Sequence, residues 1–485
     1  MLDDSTDPEL QPLTNVTTRD STHIKDIPII EKNTFWACVW MLLVHTVPSI
    51  VSYMASYLML TMNIHFLSDT GNLQSVGGAG LGQTWINTIF IYVIACLNVG
   101  MVVISSPAFG AKNYELVGIN YHRGLILNLI IIIPSYTLAL LSYVFFTAIG
   151  MNKDIVYEAY NYGVYSLYYM FAMVIFNTTN MFVVTHKIYA PLLINQILIL
   201  IFHWGSGKFF ITYLNLGARG AALAYGASLT FGIILVFSYI LFWSKETTYK
   251  QTFFWFKKES FQGLFKQLKE EFFVGAPYFL EWLSFEIFTL MSMTFSTLQL
   301  SAWVVLYHMI SLIYMVPLGF GLVISQQIAN SIGERDLTKT KNLIKAAIYL
   351  SIVVGLIDVG VVYLTHKPFI NIYTRDNPEI YETTVALVML YLIMMPADFL
   401  QTSIMSILKT IGREKMATVV FTLSYYAVGL PLAFLLGIHL GMESKGVIIG
   451  VTIGCYLLFA LSSVMLATTD VKKQSEQIFE NRTHG

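Results

Sequence analysis

Twelve apolar runs, each long enough to cross a bilayer, constrain this chain more than any other feature. They fall at about 34–62, 76–104, 124–150, 156–180, 190–214, 219–243, 272–297, 302–325, 344–366, 380–408, 416–439 and 445–467. A spanning helix needs about 20 apolar residues. Lipid offers no partner for backbone N–H and C=O groups, so every run is read as helical. Pro48, Pro134, Pro277, Pro317, Pro396 and Pro431 interrupt runs, which bundles tolerate where neighbouring groups re-satisfy the backbone. The soluble alternative fails on composition. Of 485 residues 56% are apolar and 12% charged, against roughly 25% charged in soluble domains. Such a chain could not build the charged shell of a soluble enzyme, and only its ends have the composition of disordered segments.

The basic residues orient the spans. With the amino terminus inside, 22 of the 28 Lys and Arg fall on inner segments, and only Lys153, Lys208, Arg219, Lys367, Arg375 and Lys445 lie outside. Both termini are therefore expected in the cytosol. The leader carries Asp3, Asp4, Asp7 and Glu9 without a basic n-region, so it is not read as a signal peptide. The acceptor Asn15-Val16-Thr17 would stay unmodified on that side. Cys38, Cys96 and Cys455 all lie in apolar runs without a CxxC pair and read as buried hydrophobes, implying no metal or redox cofactor.

The basic stretch 244–271 divides the runs six and six, and the halves echo one another. Pro48 matches Pro277 at an offset of 229, the loop from Gly110 matches that from Gly333 at 223, and Leu216-Gly matches Leu440-Gly at 224. Six is even, so both halves enter the membrane alike, as a parallel repeat about an axis along the membrane normal. The expected fold is an all-α polytopic membrane protein of twelve transmembrane helices in two six-helix lobes. Residues 1–33 form a polar tail, 34–243 the first lobe, 244–271 a cytosolic linker, 272–467 the second lobe and 468–485 a cytosolic tail.

Charges within spans are expensive and mark function. The acids are Glu281, Glu286, Asp358 and Asp398, all in the second half; the histidines are His45, His203 and His308. At 1.5 Å per residue, Glu281 and Asp398 both lie about 15 Å from the inner face, with Glu286 about 21 Å in. Glu281 and Glu286, five residues apart, point about 140° away from each other, so one is expected to face substrate and the other a neighbouring helix. A carboxylate in a partly dry cavity keeps its proton more readily than one in water. Glu281, Glu286 and Asp398 are thus read as proton-coupling and substrate groups: an organic cation favours the ionised acid, and protonation releases it. Trp282, Tyr307 and Tyr314, with His308 and Gln401, are candidate cavity residues, the rings suiting a cation. His45 and His203 read as polar contacts between helices. No histidine has a nucleophile beside it, so no catalytic site is expected.

The stretch Glu281-Trp-Leu-Ser-Phe-Glu286 after Pro277 resembles the Glu-Trp-Trp-x-x-Glu element of the multidrug and toxic compound extrusion (MATE) transporters, in particular their eukaryotic branch. Ile313-Tyr-Met-Val-Pro317-Leu-Gly-Phe, Ala329-Asn330-Ser-Ile-Gly333 and Tyr425-Tyr426-Ala-Val-Gly-Leu-Pro431 are similar to family patterns in the same order, over about residues 34–467. His308 stands where animal members carry an acid, and Lys409-Thr-Ile-Gly412-Arg-Glu414 replaces an Arg-Gly-x-Gly-x-Gln. The resemblance implies two lobes in a V that rock between inward and outward openings. It implies export of organic cations, drugs or metabolites in exchange for protons rather than sodium, with Glu281, Glu286 and Asp398 as coupling groups. A monomer in the lipid bilayer of the plasma membrane or a vacuolar or endosomal membrane is expected, with no nucleic acid and no cofactor. Alternatives are a flippase-type relative, against which the acidic midplane speaks, and a transport-inactive scaffold.

Overall fold

The computed structural model describes residues 34–243, 248–374 and 377–483; the leader with Asn15-Val16-Thr17, part of the 244–271 stretch and Arg375 lie outside them. Twelve long helices run in chain order: α1 Phe35–Asp69, α2 Leu73–Gly110, α3 Tyr114–Ala148, α4 Lys153–Thr185, α5 Ala190–Tyr213, α6 Gly217–Phe242, α7 Leu264–Ser292, α8 Thr297–Gly333, α9 Leu337–Thr374, α10 Pro378–Thr410, α11 Glu414–His439 and α12 Glu443–Ala467. A thirteenth, α13 Val471–Thr483, follows. Eleven of the twelve have the length and apolarity of membrane spans. The other, α7, carries Lys266, Lys269, Glu270 and Glu271 at its start and Glu281 and Glu286 beyond.

The helices outrun the apolar runs because polar residues cap them. Thr34, Asn72, Asn113 and Asn377 each accept a hydrogen bond from a first-turn N–H, satisfying donors that have no partner within the helix. The seventh span begins at Leu264 without such a cap, after Gly263 at φ +68°, and the last eight residues of the expected linker are helical. The repeat appears in the backbone too. The turns after α2, α4, α8 and α10 each contain a left-handed residue: Lys112 (φ 61°), Lys187 (64°), Arg335 (56°) and Gly412 (78°). These pair across the halves at offsets of 223 and 225. A left-handed residue closes a helix end by satisfying its last carbonyls.

These turns lie at one end of the bundle, called here the basic end, and there the two halves meet. Glycines bring the backbones together. A Cβ on Gly275 of α7 would collide with the Cys96 carbonyl of α2, and one on Gly333 of α8 with the Pro107 carbonyl. One on Gly110 would strike the Asn330 carbonyl. The two-fold maps α1–α8 packing onto α7–α2 and the α2–α8 contact onto itself, the self-complementary logic of a two-fold interface. Polar contacts seal the seam. Tyr189 donates to Gln326 Oε1 at 2.9 Å, Gln327 lies 2.9 Å from His45 Nδ1, and Ser49 donates to the Gly319 carbonyl at 3.0 Å. Lys187 of the first half and Lys339 of the second both bind Glu334, at 2.7 and 2.6 Å. The tail expected over 468–485 folds as α13 across this end. Asn113 donates to the Thr483 carbonyl at 2.9 Å, Arg335 sits 3.8 Å over the Phe479 ring, and Arg482 reaches Glu414 at 3.5 Å. The far halves of α2 and α8 pack mainly within their own halves.

Two expected outcomes follow from the seam. Gly275→Val forces the α2 and α7 backbones apart and should lower stability by about 1–3 kcal/mol, as overpacking does, read as a lower melting temperature in detergent. At Glu334, burial opposes ionisation, but Lys187 and Lys339 outweigh it and hold the carboxyl below its ordinary range. A lowered carboxylate stabilises above its unfolded value of about 4.3 and loses that contribution as pH falls through the folded value. Glu334→Gln should thus lower the melting temperature by about 2 °C at pH 7 and leave it unchanged at about pH 3. An equal drop at both pH values would show that the ion pair is not the cause.

Candidate functional site

Pro277 shapes the helix that carries two of the three acids. Proline has no N–H to return to the carbonyl four residues back, so the Phe273 carbonyl lacks its helical partner, and the Thr418 hydroxyl of α11 donates to it at 3.4 Å. Tyr426 of α11 donates to the Leu280 carbonyl at 2.8 Å. Both bonds fix α7 against α11 just before Glu281.

Glu281 is buried and accepts two bonds from neutral groups. Tyr314 donates to Oε2 at 2.5 Å, and Gln401 Nε2 donates to Oε1 at 3.0 Å. The same amide lies 3.1 Å from Asp398 Oδ1 and 3.0 Å from Thr402 Oγ1. One amide nitrogen thus joins the carboxylates of α7 and α10. Tyr314 stands at the break in α8, between Ile313 and Met315, where the chain steps around Pro317. Glu286 lies in a different contact, as the 140° rotation requires. Tyr92 of α2 donates to its Oε1 at 2.8 Å across the seam, and Tyr307 of α8 at 3.5 Å. Trp282 links the two places: its ring stacks on Tyr92 at 5.3 Å and meets Tyr314 edge-on at 5.6 Å. Its Nε1 is buried without a hydrogen-bond partner.

A cavity of about 40 Å³ adjoins Glu281, lined also by Gln401, Tyr278, Tyr314 and Lys409, with Tyr53 and Val99 from the first half. A water needs roughly 10–15 Å³, so the space fits a few waters and no organic cation. Asp398 is not in the lining and connects through Gln401.

His308 bonds elsewhere, with Nδ1 3.3 Å from the Tyr57 hydroxyl and its ring stacked on Tyr373. Asp358 on α9 is half-buried, within electrostatic reach of Asp398. His203 is buried between Ser228 of α6 and the Met59 carbonyl of α1, each at 2.9 Å, and His45 meets Gln327 in the seam. Sequence reasoning missed Tyr92, Tyr53, Val99 and Lys409. Lys409 ends an apolar run with a charge, a usable signal; Tyr92 is one of 29 tyrosines and has none.

Twelve long helices in two halves, with buried acids on one half and one of them, Glu281, on a small central cavity, have the architecture of a polytopic membrane transporter. The MatE family model matches residues 48–205 and 275–435, and the chain belongs to this family, the MATE transporters. Protein DETOXIFICATION 18 of Arabidopsis thaliana is 23% identical over 433 residues, covering 89% of this chain and 91% of that protein. Multidrug and toxin extrusion protein 2 of Oryctolagus cuniculus is 20% identical over 437 residues, covering 89% and 71%. The crystal structure of the eukaryotic MATE transporter AtDTX14 superposes with a TM-score of 0.86 at 20% identity, over 92% of this chain and 99% of that one.

The Tyr92–Glu286 bond is open to a double-mutant cycle. Tyr92→Phe and Glu286→Met should show a coupling of about 1 kcal/mol in unfolding free energy, as expected for a buried side-chain hydrogen bond. Coupling below about 0.3 kcal/mol would mean the contact carries no energy.

Proposed function

We propose that this MATE transporter is a secondary active antiporter that exports organic cations, xenobiotics or metabolites in exchange for protons. The basic end and both termini face the cytosol, and residues 34–243 and 272–467 act as a monomer's two rocking lobes. The observation that carries the reading is Gln401. Its amide is shared by Glu281 and Asp398, and neither carboxylate has a basic partner in hydrogen-bonding range among the described residues. Two buried carboxylates on one neutral donor cannot both stay ionised without great cost. They must take up a proton or a cation, and the two compete for the same oxygens.

The cycle follows from that competition. With the cytosolic end open, an organic cation settles against ionised Glu281 and Asp398, its charge facing Trp282 and Tyr314. With the outer end open, protons bind the carboxyl oxygens, the attraction is lost and the cation leaves. The protonated form returns inward and gives its protons to the cytosol. Glu286, held by Tyr92 of the opposite lobe, senses the spacing between lobes. A substrate must bind the two states with different affinity to shift the equilibrium, and Tyr53 and Val99, supplied by the first lobe, provide that difference.

Uptake of a fluorescent cation into vesicles under an imposed pH gradient tests the reading. Glu281→Gln and Asp398→Asn should each slow exchange by roughly tenfold or more, equivalent to about 1.4 kcal/mol on the barrier, while membrane insertion is kept. Normal rates in both variants would remove these acids from the coupling site, and no gradient-dependent flux of any solute would favour a scaffold.

A further inference from the structure

The exchange site leaves one buried acid unused. Glu271 precedes Glu281 by ten residues on α7, about 15 Å nearer the basic end. It is fully buried. Its Oε1 accepts one bond, from Gln267 Nε2 at 2.7 Å, and its Oε2 has no partner. The Gln267 amide also donates across the seam, to the Asn120 carbonyl of α3 at 2.9 Å. The rest of the enclosure belongs to the first half. A Cβ on Gly100 of α2 would collide with the Glu271 backbone, and one on Gly124 of α3 would lie 3.7 Å from Glu271 Oε1, beside Met101. On the first-half side, α2 and α3 close over Glu271.

The charged surroundings give it no counter-ion. Its own helix contributes Glu270, a second negative charge, with Lys266 and Lys269 on the same turns. From α2 the facing titratable group is the Cys96 thiol. On α3, His122 meets Ser260, and Arg123 is bonded to the Glu259 carbonyl. From α10 and α11, Lys409 lines the cavity below Glu281 and Lys415 sits over Phe273. An ionised carboxylate with one shared neutral donor in such a place is unfavourable by several kcal/mol, and the neutral acid avoids that cost.

We propose that Glu271 is a proton-binding site of the seam between the lobes, holding a proton while their basic ends are shut and releasing it when they part. Separation withdraws Gly100, Met101 and Gly124. Water enters, the carboxyl O–H bond breaks, its proton passes to a cytosolic water, and a hydrated carboxylate remains. Closure reverses each step. The proposal rests on the basic end being the cytosolic end that opens; it does not need Glu281 and Asp398 to be the exchange site. Because closing takes up a proton, the closed fraction falls as cytosolic pH rises, by up to about tenfold in the closed-to-open ratio per pH unit.

The test uses the full chain in lipid nanodiscs, with spin labels on Lys112→Cys and Lys341→Cys. Both positions are exposed near the basic end, one in each half, and the three native cysteines are buried. Distance distributions are recorded across pH. The expected result is a long-distance population that grows with pH in the otherwise unchanged protein and stays flat in Glu271→Gln, which copies the shape of the neutral acid. Glu271→Met, equally unable to titrate, should be flat as well, so loss of folding in one variant leaves the other to decide. Infrared difference spectra should show a protonated-carboxyl C=O band that vanishes with opening and is missing from Glu271→Gln. A full pH response in either variant, or an opening-dependent carboxyl band as large without Glu271 as with it once Glu281→Gln and Asp398→Asn are present in both samples, overturns the proposal. The same labels on Glu281→Gln separate the two readings: an intact seam response with lost exchange supports both, and an intact response with normal exchange sinks only the assignment of Glu281.

Discussion

The three acids at the centre of the second half are held by neutral donors, and the proposed function rests on that. Glu281, Glu286 and Asp398 meet tyrosine hydroxyls and one glutamine amide. The ion pairs among the described residues lie elsewhere, at helix ends and turns: His65–Asp69, Lys187–Glu334, Lys339–Glu334, Lys257–Glu115 and Arg482–Glu414. An acid locked to an arginine stays ionised and is spent. An acid bonded to hydroxyls and an amide still has unmet demand for positive charge, which a proton or a cationic cargo can meet. The first half places no acid in the middle of any span, so the repeat duplicates the frame without duplicating the chemistry.

Glycine decides where the frame can shut. At the basic end, Gly275, Gly110 and Gly333 leave no side chain between the α2, α7 and α8 backbones. Backbones that close exclude water and any solute, and side-chain bonds such as Tyr189–Gln326 then register the two halves. The ion pair at Glu334 adds little energy, since half-exposed pairs contribute about 1 kcal/mol or less. Close packing does the sealing, and sealing keeps the acids of α7 dry on that side.

Most of the frame was legible in the sequence because hydrocarbon imposes a length and a polarity that any reader can count. Twelve runs, the six-and-six division and the prolines all survive in the structure. The ends were less legible, because an apolar count stops where polar residues carry the helix on, as at Asp69 of α1, capped by Thr70, and over the charged first turns of α7 from Leu264. That misjudged boundary put Glu271 in a linker and hid it. Glu281 and Asp398 stood out as charges in apolar runs, and their level depths anticipated the shared Gln401. Tyr92 could not be found this way. It lies 194 residues from Glu286 in sequence, and only the packing of one half on the other brings them together. His308 was legible as a polar group, but its bond to Tyr57 of α1 depends on the same long-range packing.

One helix carries three of the buried acids, and α10 supplies Asp398 and the shared Gln401 amide. Along α7, Glu271 meets the seam, Glu281 the cavity and Glu286 the Tyr92 hydroxyl, while Thr418 and Tyr426 hold the helix to α11 around its proline. A helix so anchored moves with its own lobe, so any separation from α2 alters the surroundings of Glu271 and Glu286 together. A proton on one then changes the free energy of the arrangement that the other prefers, and the effect is reciprocal by thermodynamic necessity. In the proposed cycle, coupling between the seam at the basic end and the central cavity therefore needs no chain of side chains to relay it; the rigid body of α7 against α2 is sufficient.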